Sequence, residues 1–138
     1  MFRNDTTVDQ LNAMSAETAI AALGIVFTEI GADYLRATMP VDARTHQPYG
    51  LLHGGASALL AETLGSTGGG LAAPDGYGVV GIEINANHLR GVRSGLVTGT
   101  ARALHVGRST QVWDIRIEDA RGRAVCVSRL TLAVIPKP

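Results

Sequence analysis

Cysteine is almost absent from this chain. Its one thiol, Cys126, excludes an intrachain disulfide framework and any cysteine-based zinc cluster, and its setting in VCVSRLTLAV reads as a core position. Aromatic residues are scarce too, at 4% of 138 residues, which leaves few stacking platforms for a nucleic-acid binder. There is no net charge of either sign, since twelve basic groups balance twelve acidic ones. No stretch approaches the roughly 20 uninterrupted apolar residues of a membrane span, and MFRNDTTVDQ lacks the apolar stretch of a secretory leader. The expected setting is cytoplasmic, with no membrane and no nucleic-acid partner. His46, His53, His88 and His105 lack the HExxH spacing of a zinc protease, and no Gly-x-Ser-x-Gly elbow is present. Gly68-Gly69-Gly70 is not followed by the Lys-Ser/Thr of a phosphate loop. Neither a metal site nor a cofactor is expected.

What is present is 46% hydrophobic residues in a length that suits one domain, residues 1–138. Charge segregates along it. Residues 1–85 carry three Arg against nine carboxylates, a balance of −6, and the remainder carries +6. Eleven of the twelve cations are Arg, whose planar fork grips phosphate in bidentate fashion. Small phosphorylated ligands fit this pattern better than DNA or RNA.

VDQLNAMSAETAIAAL places Leu11, Met14, Thr18 and Ala22 at helical spacing, with Ser15 as the cap of a second short helix from about Ala16 and Gly24 as the stop. IVFTEIGADYLRATMP reads as a hairpin about Gly31-Ala32-Asp33, ended by Pro40. Gly55 to Leu71 reads as a helix entered through His53-Gly54-Gly55 and dissolved by Gly68-Gly69-Gly70 and Pro74. VVGIEINANHLR, GLVTGTARALHV, STQVWDIRIED and AVCVSRLTLAVI then read as four consecutive antiparallel strands, a meander. The class is α+β, a sheet wrapped on one central helix. Such a sheet has two long open edges, which association normally covers.

Between Thr45 and Pro74 the only Asp, Glu, Lys or Arg is Glu62. A helix so apolar is expected to be packed nearly all round, with Glu62 buried or facing an enclosed cleft. Burying an unpaired carboxylate costs several kcal/mol, so a general base or nucleophile is the functional reading, against a structural carboxylate satisfied by its neighbours. Ser66, four residues on, shares its face. Upstream, His53-Gly54-Gly55 presents unhindered amides where a developing oxyanion is stabilised. Gln47 and His53 add polar contacts to a carbonyl.

LLHGGASALLAETLGS, with VDARTHQPYG before it and VVGIEINANHLR after it, resembles the hotdog-fold acyl-CoA thioesterases, in order, from about Leu11 to Ile135. It is most similar to the 1,4-dihydroxy-2-naphthoyl-CoA hydrolases of menaquinone synthesis and to relatives acting on 4-hydroxybenzoyl-CoA, phenylacetyl-CoA or aryl-carrier-protein thioesters. The resemblance implies hydrolysis of an acyl-CoA or acyl-carrier-protein thioester, an aromatic one first of all, to free acid and thiol. It implies a curved antiparallel sheet around one long helix, a dimer as catalytic unit, and a tetramer of paired dimers. It assigns the acidic residue to Glu62, the loop glutamine to Gln47, the motif histidine to His53, the oxyanion amide to Gly55 and the helix hydroxyl to Ser66. The carboxylate and the facing amide come from different subunits. CoA contacts are implied near Gly81, at His88, Leu89, Arg90 and Gly91, and along His105, Val106, Gly107, Arg108, Ser109 and Thr110. Among the arginines of the second half Arg90 and Arg108 are the foremost candidates for the phosphates, with Arg93 after them. Two rivals are a hydratase or dehydratase of the same fold using His53 with Glu62, and a non-catalytic acyl-CoA binding module.

Overall fold

The computed structural model describes residues 1–3 and 5–138. Its elements are α1 (Val8–Ser15), α2 (Ala19–Ala22), β1 (Val26–Ile30), β2 (Tyr34–Pro40), α3 (Gly54–Ala72), β3 (Tyr77–His88), β4 (Leu96–Val106), β5 (Thr110–Glu118) and β6 (Ala124–Pro136). Thr7 starts α1 through a capping box with Gln10. Ser15 does not cap the second helix. It is the last residue of α1, buried, with its hydroxyl donating to Leu11 O at 2.8 Å. Thr18, extended at φ −118°, takes the capping role and accepts from Ile20 N–H at 3.2 Å. Gly24, at φ +74°, ends the helical segment in a conformation that favours glycine. The hairpin forms about Gly31-Ala32-Asp33 as the sequence implies, with β1 antiparallel to β2.

The six strands form one antiparallel sheet in the order β1-β2-β4-β5-β6-β3, and here the meander expectation is corrected. β4, β5 and β6 are consecutive neighbours, but β3 pairs with β6, from Tyr77↔Pro136 to His88↔Cys126. The reason is geometric: β2 already occupies the other edge of β4, from Tyr34↔Arg102 to Pro40↔Leu96. α3 crosses one face of the sheet and touches β2 through β6, so the chain leaves it at the far edge. β1 and β3 are therefore the sheet's open edges.

The core is the interface between α3 and the sheet. Leu60, Ala61 and Leu64 are fully buried there with Leu35, Met39, Trp113, Ile115, Ile117, Leu130 and Leu132. Gly68-Gly69-Gly70 does not dissolve the helix, which runs on to Ala72. Each helical glycine sacrifices about 1 kcal/mol of propensity against Ala, yet two of these three have no room for more. A Cβ on Gly68 would lie 2.9 Å from the Trp113 ring, and one on Gly69 2.5 Å from Leu132 Cδ1 and 2.9 Å from Gln111 Oε1. Buried Gln111 locks the contact: its Nε2 donates to Gly69 O at 3.2 Å and its Oε1 accepts from Trp113 Nε1 at 2.8 Å. Close packing of helix on sheet outweighs propensity.

This contrast predicts opposite outcomes within three residues. Gly68→Ala forces a methyl group against a fully buried ring and should destabilise by about 1–3 kcal/mol. At Gly70 an added Cβ meets nothing within 4 Å, so Gly70→Ala should stabilise by about 0.5–1 kcal/mol. Urea unfolding midpoints measure both, and a gain at Gly68 would contradict the packing account.

Candidate functional site

With one side of α3 pressed on the sheet, the opposite stripe is left. Gly55, Leu59, Glu62 and Ser66 follow one another at helical spacing along it. With Ala58, Thr63 and the α2 residues Ala19 and Ile20 they line a cavity of about 450 Å³. Glu62 is exposed in the single chain, contrary to the buried or enclosed setting expected of it, because four-residue α2 is too short to roof the stripe. Among the described residues no cation forms an ion pair with Glu62. A carboxylate on an otherwise apolar and small-residued face is thus presented, not neutralised.

Gly81 belongs to this carboxylate. A Cβ built on it would stand 2.7 Å from Glu62 Oε2, so a side chain at position 81 would displace the carboxylate from its place over β3. The neighbouring Val80 and Ile82 are 48% and 60% exposed on the edge strand. No sequence pattern marks Ala19 or Ile20 as site residues, since a single turn of helix carries too little periodicity to show which face it turns inward.

His53 caps α3 in place of the usual hydroxyl or amide, and its Nδ1 accepts from Gly55 N–H at 2.8 Å. In the neutral ring the proton therefore sits on Nε2. Ala56 and Ser57 N–H both donate to His53 O, at 3.0 and 3.2 Å. The amide that the resemblance gives to an oxyanion is thus engaged by the imidazole within the free chain.

The loop before α3 is built from its own hydrogen bonds. Asp42 accepts from the Arg44 side chain and backbone, which holds its carboxyl below the ordinary range. Gln47 Oε1 accepts from Tyr49 N–H, which leaves the two donors of its amide for another partner. Gln47, Gly54, His88, Leu89, Arg90 and Gly91 line a second cavity, of about 380 Å³. The imidazole of His88 lies against the start of α3, where a Cβ on Gly54 would meet its Nε2 at 2.8 Å. Gly54 lines this cavity and Gly55 the other, so consecutive residues at the start of α3 serve the two.

The expected residues therefore fall into three places. Glu62, Ser66, Gly55 and Gly81 surround the open helix face. Gln47, His53, His88, Leu89, Arg90 and Gly91 gather at the N-terminus of α3. His105, Val106, Gly107, Arg108, Ser109 and Thr110 form the β4–β5 turn at the opposite end of the strands, where Gly107 N–H donates to Thr110 O at 2.8 Å. One chain does not bring this last group to the other two. Gly81, implied as a CoA contact, has the Glu62 carboxylate as its neighbour in the single chain.

Comparison with known proteins shows the family and the fold. The model of the family described as "Thioesterase superfamily" matches residues 49–126. The chain is 54% identical over 135 residues to the "Proofreading thioesterase EntH" of Cronobacter sakazakii, covering 98% of each. Among solved structures it is similar to thioesterase HI1161 of Haemophilus influenzae, with TM-score 0.96 and 50% identity over 98% of this chain and 94% of that one. It is equally similar to a mutant of thioesterase PA1618 of Pseudomonas aeruginosa, with TM-score 0.96 and 51% identity over 99% of each.

The cap yields a prediction independent of chemistry. His53→Ala should lower stability by about 1 kcal/mol, whereas His53→Asn, whose side-chain oxygen can accept from the same amide, should keep the unfolding midpoint. Equal midpoints for His53→Ala and wild type would mean that the imidazole does not hold the start of α3.

Proposed function

Because this chain belongs to the thioesterase superfamily, with a hotdog fold, and hydrolyses thioesters, we propose that it acts on an aromatic acyl group, a hydroxybenzoyl or dihydroxynaphthoyl group among them, borne on CoA or on a carrier protein. The name of the Cronobacter relative, a proofreading thioesterase, supports a role in clearing wrongly loaded acyl groups from such a carrier. The site is completed by a second copy of the chain.

The observation that carries the two-chain site is the direction of the α3 amides. Backbone N–H groups of a helix point out of its N-terminal end. Glu62 lies seven residues behind Gly55, roughly 10 Å down the axis at 1.5 Å per residue. A carbonyl held at that N-terminus is therefore in front of the helix, and the carboxylate of the same chain is behind it. β3 has an unpaired outer edge bearing Val80 and Ile82, and pairing two such edges about a two-fold axis sets Glu62 of the partner subunit toward the α3 N-terminus. Two such dimers make the tetramer that the resemblance implies.

At that N-terminus the thioester oxygen takes the Gly55 N–H from His53 Nδ1 as negative charge develops on it, and the free Gln47 amide donors polarise the same group. The carboxylate of Glu62 then attacks the carbonyl carbon, expelling the thiolate and leaving a mixed anhydride for water to cleave, or removes a proton from the attacking water. Ser66 orients the carboxylate or that water. Arg90, beside Gln47, meets a phosphate of the thiol carrier. Arg108 reaches the substrate only from another subunit.

Benzoyl-CoA, short-chain and long-chain acyl-CoA thioesters ranked by kcat/KM test the substrate class, and a preference for the aliphatic substrates would contradict it. Glu62→Gln should lower kcat/KM for the best of them by about 10²- to 10⁴-fold without moving the unfolding midpoint. Turnover near wild type would remove Glu62 from the mechanism.

A further inference from the structure

The positive excess of the second half of the chain has one local concentration that the thioester site does not use. At the end of the sheet where α3 begins, the β3–β4 connection and the β5–β6 turn face each other across a groove of about 230 Å³, lined by Arg93, Ser94, Asp119, Arg121 and Arg123 among others. Asp119 is spent on building the turn. Its Oδ1 accepts from Arg121 N–H and Arg123 N–H, both at 2.9 Å, and its Oδ2 accepts from Arg123 Nε at 2.7 Å, hydrogen bonds that hold its carboxyl below the ordinary range. Arg123 is thereby neutralised.

Elsewhere Arg36, Arg44, Arg102 and Arg116 are likewise matched with carboxylates. Arg93 and Arg121 have no ion-pair partner among the described residues, and both are exposed. Glu118, the remaining acid of the turn, lines the outer sheet face with Arg116 and has its Oε2 4.0 Å from the position of a Cβ on Gly122, but it forms no ion pair with Arg93 or Arg121. Two uncompensated guanidinium groups on separate loops thus flank one groove.

The groove is fixed relative to the thioester site. Leu52 N–H donates to Val92 O at 2.8 Å, Val41 N–H to Gly95 O at 2.8 Å, and His46 Nε2 bonds Arg93 O at 2.9 Å, so the Arg93 loop is stapled to the segment that carries Gln47 and His53. Gly91 lines both this groove and the Gln47 cavity. On the β5–β6 wall the amides of Arg121 and Arg123 already serve Asp119, so that turn offers no nest of free N–H groups to a phosphate. Spread, fixed guanidinium groups instead match carboxylates distributed along a protein surface.

We propose that this groove, with Arg93 and Arg121 on its two walls, docks an acidic segment of the protein that carries the thioester. The inference rests on the reading that a carrier-borne acyl group is a substrate. Docking there sets the carrier beside the Gly91 passage that leads to Gln47 and the start of α3.

The test uses one acyl group on three carriers: benzoyl thioesters of an acidic aryl-carrier domain, of CoA and of pantetheine. Arg121→Glu should raise KM for the carrier-borne thioester roughly tenfold with kcat near wild type, and leave KM for the CoA and pantetheine thioesters within about twofold of wild type. Arg121→Lys should restore most of the affinity, and salt should weaken the wild-type interaction more than that of the Glu variant. An unchanged KM for the carrier thioester would overturn the docking surface, and so would an equal rise for benzoyl-CoA, which would assign Arg121 to the nucleotide. A wild-type enzyme with no preference for the carrier thioester over the pantetheine thioester would overturn the carrier reading itself. A preference that survives Arg121→Glu overturns the docking groove alone.

Discussion

The structure depends on how closely one helix lies on one sheet. Trp113, Leu130 and Leu132 occupy the volume that side chains at Gly65, Gly68 and Gly69 would fill, and the Gln111 bridge to Gly69 O holds that register. A bulkier helix would stand further off and lose the dispersion contacts of the core. Because the small residues face the sheet, the opposite stripe is decided as well: Gly55, Leu59, Glu62 and Ser66 lie among the residues of α3 that the sheet does not bury.

The same helix fixes the polarity of the site. Its amides point forward past His53 while Glu62 rides two turns behind, so donor and carboxylate are separated by helix geometry and not by any mobile loop. The edge strand β3 supplies the complement. Gly81 leaves room for the carboxylate over the strand, and the unpaired edge beside it, with exposed Val80 and Ile82, is the surface on which, in the two-chain site we propose, a second chain restores what one helix keeps apart. Thioester chemistry in this account is a property of an interface, and each residue around α3 has one of two tasks, holding the carbonyl or approaching it.

Local signals made much of this legible in the sequence. The Gly31-Ala32-Asp33 turn, the helix after His53-Gly54-Gly55 and the four later strands are all set by neighbours in the chain, and all are present. Glu62 stood out because no other charge falls between Thr45 and Pro74. What the sequence did not disclose depends on distant contacts. β3 pairs with β6 because β2 fills the edge of β4, a competition that no window of residues contains. The glycine run reads as a helix exit until Trp113, more than 40 residues away, is known to pack on it. Ser15 and Thr18 are both competent caps, and only the continuation of α1 through Ser15 decides between them. The neighbourhood of Gly81 and Glu62, and the separation of the 105–110 turn from the Arg90 loop, follow from the sheet order and were illegible for the same reason.

The most direct measurement is complementation between two inactive variants. Glu62→Ala lacks the carboxylate, and Gly55→Pro lacks the N–H that holds the carbonyl; because it also removes the His53 cap bond and crowds that ring, its unfolding midpoint is measured alongside. Coexpressed, with mixed dimers isolated by two affinity tags, they should recover a substantial part of wild-type hydrolysis, because one of the two shared sites regains both groups. Verified mixed dimers no more active than either parent would place the carboxylate and the amide of each site within one chain and contradict the account.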